Sequence, residues 1–186
     1  YTKRLTLLDI LDKTKTVIGR RLFRQRLSIP ITSPIELNKR YDLIEFWQGI
    51  QNKYLAKPGS DLALSPIRRI RALLNYIGDI PKFTRKLATL KFVPSDIQTL
   101  SASISSVINL HSVITKYIVD AGHSDGTALI PMLDIKQVAG LLDDINNTFE
   151  YANTDIHWSQ IDVNFFKRGY CKEADDLNDS IINDGN

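Results

Sequence analysis

Three histidines, one cysteine and two pairs of adjacent carboxylates are the residues of this 186-residue chain whose types could do chemistry. His111, His123 and His157 could act as bases or metal ligands, but none has a partner at the spacing zinc sites use. His111 falls in or beside an apolar helical stripe with no nucleophile or paired carboxylate nearby, and reads as a core-edge histidine. Cys171 has no Cys-x-x-Cys partner, so it reads as a structural or solvent-edge thiol. A single cysteine also excludes an internal disulfide framework and a Cys-based zinc ribbon. Asp143-Asp144 and Asp175-Asp176 would project about 100° apart around a helix and so do not converge on one site.

Recognisable catalytic motifs are equally scarce. No glycine is followed by lysine anywhere in the chain, which removes a Walker A phosphate loop. Nothing matches GxGxxG, HExxH, GxSxG or an EF-hand loop. The sequence therefore predicts no catalytic, cofactor-binding or metal site.

The best candidate for a ligand contact is Arg20-Arg21-Leu22-Phe23-Arg24-Gln25-Arg26. Helical spacing places Arg20 and Arg24 on one face, where they could meet DNA phosphates. The plainer reading has these arginines solvating a face or pairing with the acidic C-terminal third, and arginine-rich helix faces are common enough to favour it.

The elements that must carry these residues are helices. Thr16 to Leu27 follows a shorter helical pattern over 5–12, the two being split near Lys13-Thr14-Lys15. Ser33-Pro34-Ile35-Glu36 reads as a capping box with proline at the first helical position. Behind it Tyr41, Ile44, Trp47, Ile50 and Tyr54 form a predicted apolar stripe that ends at Lys57-Pro58-Gly59. Ser65-Pro66 starts a shorter helix, and Gly78-Asp79-Ile80-Pro81 starts another that should run to about Phe92. Pro94-Ser95-Asp96 opens the longest, to about Asp120, with Ile97, Leu100, Ile104, Val107, Ile114 and Ile118 inward. Further helices are expected over about 132–150 and 172–182. The expected fold is an all-α multi-helix bundle, with at most one short strand-like segment near 161–166.

Charge and hydropathy suit a globular chain of one domain's length: 24 Lys+Arg, 21 Asp+Glu and 43% hydrophobic residues. Residues 1–40 hold ten basic and three acidic residues, a surplus of seven positive charges. Residues 134–186 hold four basic and eleven acidic residues, a surplus of seven negative ones, so the net +3 averages two opposed ends. No apolar run reaches the roughly 18 residues of a membrane span, and no secretory signal is legible at the start, Tyr1-Thr2-Lys3. The lack of an initiator methionine suggests a piece of a longer protein.

Four segments in order resemble the core, or lever, domain of MutS-family DNA mismatch repair proteins. In the run from Thr6 to Leu22, with Leu27 and Pro30 beyond it, the positions Thr16, Gly19, Arg21, Leu22, Leu27 and Pro30 fit the family's opening pattern. The helix from Ile35 to Phe46 matches the one that follows. Ile77-Gly78-Asp79-Ile80-Pro81, with Leu87 and then Pro94-Ser95-Asp96-Ile97, resembles the next segment. Phe166 to Leu177, containing Gly169-Tyr170, resembles the motif leading into the clamp helices. Arg26 stands where the family usually has tryptophan and Ala174 where it has leucine, which marks a divergent member.

The resemblance covers about 5–183 and implies a helical lever over 1–168, with the start of the clamp over 169–186. It implies a transducing role without chemistry in this chain, within an intracellular parent protein that binds mismatched double-stranded DNA. ATP and Mg2+ would be the cofactors of a downstream ATPase, the chain's partners would include the ATPase and clamp domains, and the parent is expected to dimerise. On this reading Thr16, Gly19, Arg21, Leu22, Pro30, Asp79, Gly169 and Tyr170 specify the fold, and apolar surface is exposed where absent helices would pack. The alternatives are a stand-alone helical nucleic-acid-binding module using the basic segment 13–26, and a helical adaptor or enzyme accessory domain with no role at DNA.

Overall fold

The computed structural model describes residues 6–61, 65–122, 133–150 and 165–184. Among the described residues eight helices follow one another: α1 (Leu7–Leu11), α2 (Val17–Ser28), α3 (Pro34–Leu55), α4 (Pro66–Leu74), α5 (Ile80–Ala88), α6 (Pro94–Asp120), α7 (Ile135–Thr148) and α8 (Lys172–Asp184). The all-α expectation holds. Among the described residues the only β pairing is an isolated antiparallel bridge between Phe149 and Phe166, so the strand-like segment contributes one bridging residue, and its positions 161–164 lie outside the described residues.

Local capping chemistry sets most boundaries. The Thr6 hydroxyl accepts from the Asp9 amide while the Asp9 carboxylate accepts from the Thr6 amide, a complete capping box. At Ser33 the forward half of the expected box forms, its hydroxyl accepting from the Glu36 amide at 3.5 Å, with Pro34 in the first turn. Ser65 differs from its sequence twin: it starts α4 without a side-chain cap bond, and its buried hydroxyl finds no partner. Asp134 caps α7 by accepting from Lys136 and Gln137.

Helix α5 stops at Ala88, four residues before the expected end near Phe92. The Lys91 amide donates to the Lys86 carbonyl at 2.9 Å and the Leu90 amide to the Leu87 carbonyl at 3.1 Å. These are the paired bonds of a Schellman turn, with Leu90 at φ +54° in the position that glycine usually fills. No glycine or proline signals this stop in the sequence.

The described chain groups into two compact units, one of residues 1–79 and 109–133 and one of 80–108 and 134–186, so α6 contributes to both. In the first, α3 packs against α4, the Gln51 side chain accepts from the Ile67 amide at 3.3 Å, and Ile118 is buried. In the second, Phe83, Ile97 and Ile104 form the buried apolar core, and Phe83 meets Phe92 edge to face with centroids 6.4 Å apart. The α6 stripe is as expected: Ile97, Ile104 and Ile118 are buried, and Leu100, Val107 and Ile114 half-buried.

The α3 stripe needs correction. Trp47, Ile50 and Tyr54 are half-buried, but Tyr41 and Ile44 are exposed. The sheltered face runs instead through Leu37, Arg40, Leu43 and Phe46. Apolar residues surround more of this 22-residue helix than its neighbours cover, so spacing alone did not choose the covered face. Ile35 is exposed as well, as are Leu7, Ile10 and Ile29 nearer the start of the chain.

Candidate functional site

The expected fold-specifying residues lie in two local constructions, one in each compact unit. The first begins with a turn. The Asp12 carboxylate accepts from the Thr14 amide at 3.0 Å and from the Thr14 hydroxyl at 2.5 Å, an Asx turn that redirects the chain between α1 and α2. Two residues on, Thr16 is the N-cap of α2, its hydroxyl accepting from the Gly19 amide at 2.9 Å. A Cβ placed on Gly19 would come within 2.8 Å of that same oxygen. The spacing of Thr16 and Gly19 is therefore one device: the cap hydroxyl occupies the space a side chain at residue 19 would need.

Arginines of α2 then tie this turn down. Arg20 pairs with Asp12 at 2.9 Å, and Arg21 forms a hydrogen-bonded ion pair with Asp79. From α4, Arg71 donates to the Lys13 carbonyl at 3.1 Å. Hydrogen bonding from Thr14, aided by the Arg20 guanidinium, holds the Asp12 carboxyl below its ordinary value against the opposing effect of burial. Leu22 is exposed, and Pro30 follows directly on the α2 C-cap, Ile29, where a residue without an amide hydrogen cannot prolong the helix.

The second construction precedes α8. Gly169 sits at φ +90°, a conformation open to glycine at little cost. Its amide donates to the Asp175 carboxylate at 2.7 Å, and the Asp175 amide donates to the Cys171 carbonyl at 3.0 Å. Tyr170 lies parallel to Phe166, centroids 5.8 Å apart at 3°, while Phe166 stacks on Phe165 at 4.7 Å and adjoins Phe149 at 5.3 Å. The carboxylate pair 175–176 thus splits as expected: Asp175 bonds the turn and Asp176 is exposed.

Sequence reasoning missed a third joint in this unit. Lys86 of α5 places its ammonium 2.7 Å from both oxygens of Asp96 in the first turn of α6. Asp96 is buried and also accepts from the Val93 amide at 3.1 Å. A separation of ten positions conforms to no helical pairing rule, so the turn at Leu90 is needed to bring them together.

The proposed DNA-contact residues divide. Arg20 is engaged by Asp12 yet half-exposed, and Arg24 is exposed. His111 is half-buried on α6 and Cys171 is a half-buried free thiol, whereas His123 and His157 lie outside the described residues. Among the described residues no three His, Cys, Asp or Glu side chains gather as a metal site. No helix among the described residues is long and apolar enough to cross a membrane.

The chain is all-α, and the residues singled out above build turns and joints between its helices. Comparison with known proteins gives its family: the model of MutS domain III matches residues 1–177. The chain belongs to the MutS domain III family. A DNA mismatch repair protein MutS from Lachnoclostridium phytofermentans is 30% identical over 178 residues, covering 94% of this chain and 16% of the relative. One from Anaplasma phagocytophilum is 26% identical over 151 residues, covering 76% and 17%. One from Treponema denticola is 33% identical over 109 residues, covering 59% and 11%. The chain thus spans less than a fifth of the length of these curated relatives. No solved structure matches it.

Proposed function

We propose that this chain is the lever segment of a MutS-like mismatch repair protein, coupling an ATPase domain to the part that embraces mismatched double-stranded DNA. The match of MutS domain III to residues 1–177 carries this reading. The geometry supports it, because the motif residues form joints rather than a reactive pocket. Arg21–Asp79 and Arg71–Lys13 tie the start of the chain to α4 and the segment after it. Lys86–Asp96 fixes the α5–α6 corner, and Gly169–Asp175 fixes the entry to α8. Packed helices with fixed corners transmit displacement as rigid bodies.

In this proposal ATP and Mg2+ act in another domain of an intracellular, dimeric parent, and this chain supplies no catalytic group. The test uses a full-length protein carrying this segment, with Arg21→Ala and Lys86→Met introduced together. Mismatch binding and nucleotide binding should each persist, while the effect of one on the other falls by about fivefold or more, the scale of ordinary coupling energies. Unchanged coupling with both joints broken would overturn the lever reading.

A further inference from the structure

Within the first compact unit, the C-terminal end of α3, the start of α4 and the C-terminal end of α6 surround a groove of about 620 Å³. Lys53, Lys57, Arg68, Arg69 and Lys116 line it, opposed by one carboxylate, Asp120. None of the five cations forms an ion pair with a described residue, and all five are exposed. A cation near the end of α3 is favoured by the helix dipole, which accounts for Lys53 and Lys57 individually. It does not account for Arg68 and Arg69 in the first turn of α4, where the dipole disfavours positive charge. Five like charges around one concavity repel one another and concentrate a field that anions relieve.

Two tyrosine rings, Tyr54 and Tyr117, share the lining. Both are half-buried, and Tyr54 is steadied by its hydroxyl donating to the Asp61 carbonyl at 3.4 Å. Cations beside fixed aromatic rings suit a strand whose bases are unpaired, since phosphates meet the former and bases stack on the latter. A duplex keeps its bases stacked on one another and offers the rings nothing, and an acidic peptide has no use for them. We propose that this groove binds single-stranded nucleic acid, phosphates against Arg68, Arg69 and Lys116 and a base against Tyr54 or Tyr117. The proposal rests on neither the family match nor the lever reading.

The test is fluorescence anisotropy of the intact protein with a short labelled oligothymidylate, titrated between about 50 and about 200 mM salt. Arg68→Ala/Arg69→Ala should weaken binding by on the order of tenfold and lower the slope of log affinity against log salt by about 1.4, the share of two phosphate contacts. Arg20→Ala/Arg24→Ala on α2 should leave both unchanged. Lys57→Gln/Lys116→Gln provides a second variant at exposed positions, and circular dichroism checks that each variant keeps its helix content. With 5-iodouracil in the strand, photocrosslinks should map to Tyr54 or Tyr117. Equal affinity for duplex, for polyglutamate or for a free mononucleotide would overturn the assignment, as would undiminished binding in both groove variants.

Discussion

Arg21 and Asp79 lie 58 residues apart in the chain and meet as a hydrogen-bonded ion pair, joining α2 to the segment after α4. The resemblance marked both as fold-specifying positions, and their meeting gives that expectation a physical basis. The Arg21 side chain is 54% exposed, so solvent screens the pair. Arg21→Ala and Asp79→Ala should couple by only about 0.5 kcal/mol in a double-mutant cycle followed by urea unfolding. On the proposed lever function, breaking this pair should affect coupling between sites more than stability.

Thr16 and Gly19 should behave as one unit. Thr16→Ala should cost about 1 kcal/mol through loss of the α2 cap. Gly19→Ala would push the Thr16 hydroxyl off the amide it caps, so its gain in helix propensity, at most about 1 kcal/mol, is cancelled or reversed. With Thr16 already replaced by alanine, the same Gly19→Ala change should stabilise. Thermal melts of the two single variants and the double variant would show this reversal, and an identical effect of Gly19→Ala in both backgrounds would refute it.

Lys86→Met keeps the side-chain stem but deprives the buried Asp96 carboxylate of both 2.7 Å hydrogen bonds from the ammonium. The expected loss is about 1.5–3 kcal/mol, as for hydrogen bonds to charged groups. Asp96→Ala/Lys86→Met should cost less than the sum of the single changes, because the uncompensated charge is gone. Denaturant midpoints at constant m-value are the measurement.

Leu90 is the residue to replace for stability. It is 94% exposed and holds a left-handed conformation, so its side chain gains nothing from burial while its backbone is strained. The strain relieved by Leu90→Gly, about 1–2 kcal/mol, exceeds the roughly 0.4–1 kcal/mol lost through the freer unfolded chain. A small rise in melting temperature is expected, and a fall would mean that the Schellman turn is not the ground state.

Acid should loosen the α1–α2 turn late. The folded Asp12 carboxyl is held below its ordinary value, chiefly by Thr14, so its stabilising contribution is complete above the unfolded carboxylate pKa of about 3.9 and is lost as pH falls through the lower folded value. Thr14→Ala removes the largest cause and should raise the Asp12 midpoint, moving acid loss of the turn to higher pH. Carboxyl carbon shifts followed by NMR between about pH 2 and about pH 6 span the window.

The helices were legible because their signals are local. Pro34 behind Ser33, Pro66 behind Ser65 and Pro94 ahead of Asp96 each fix a start within a few residues, and α3, α4 and α6 begin where those signals stand. The end of α5 was not legible, because an ordinary leucine adopts the conformation that a glycine would have announced. The motif residues were identifiable by resemblance, but their work was not. Nothing in a linear reading says that Arg21 reaches Asp79, that Gly169 donates to Asp175, or that Asp96 waits for Lys86.

The amino-acid sequence by itself determined an all-α chain of capped helices, its family likeness and its opposed charged ends, since each depends on residue types and short spacings. The tertiary structure decided which side of α3 is covered, since Tyr41 and Ile44 are as apolar as the residues that turn inward. It also decided where cations concentrate. The conspicuous arginines of α2 are partly spent on Asp12 and Asp79, while five scattered residues of α3, α4 and α6, with their flanking turn, converge on one groove. Charge along a chain adds by position, but the field at a surface adds by distance in space, and only folding sets those distances.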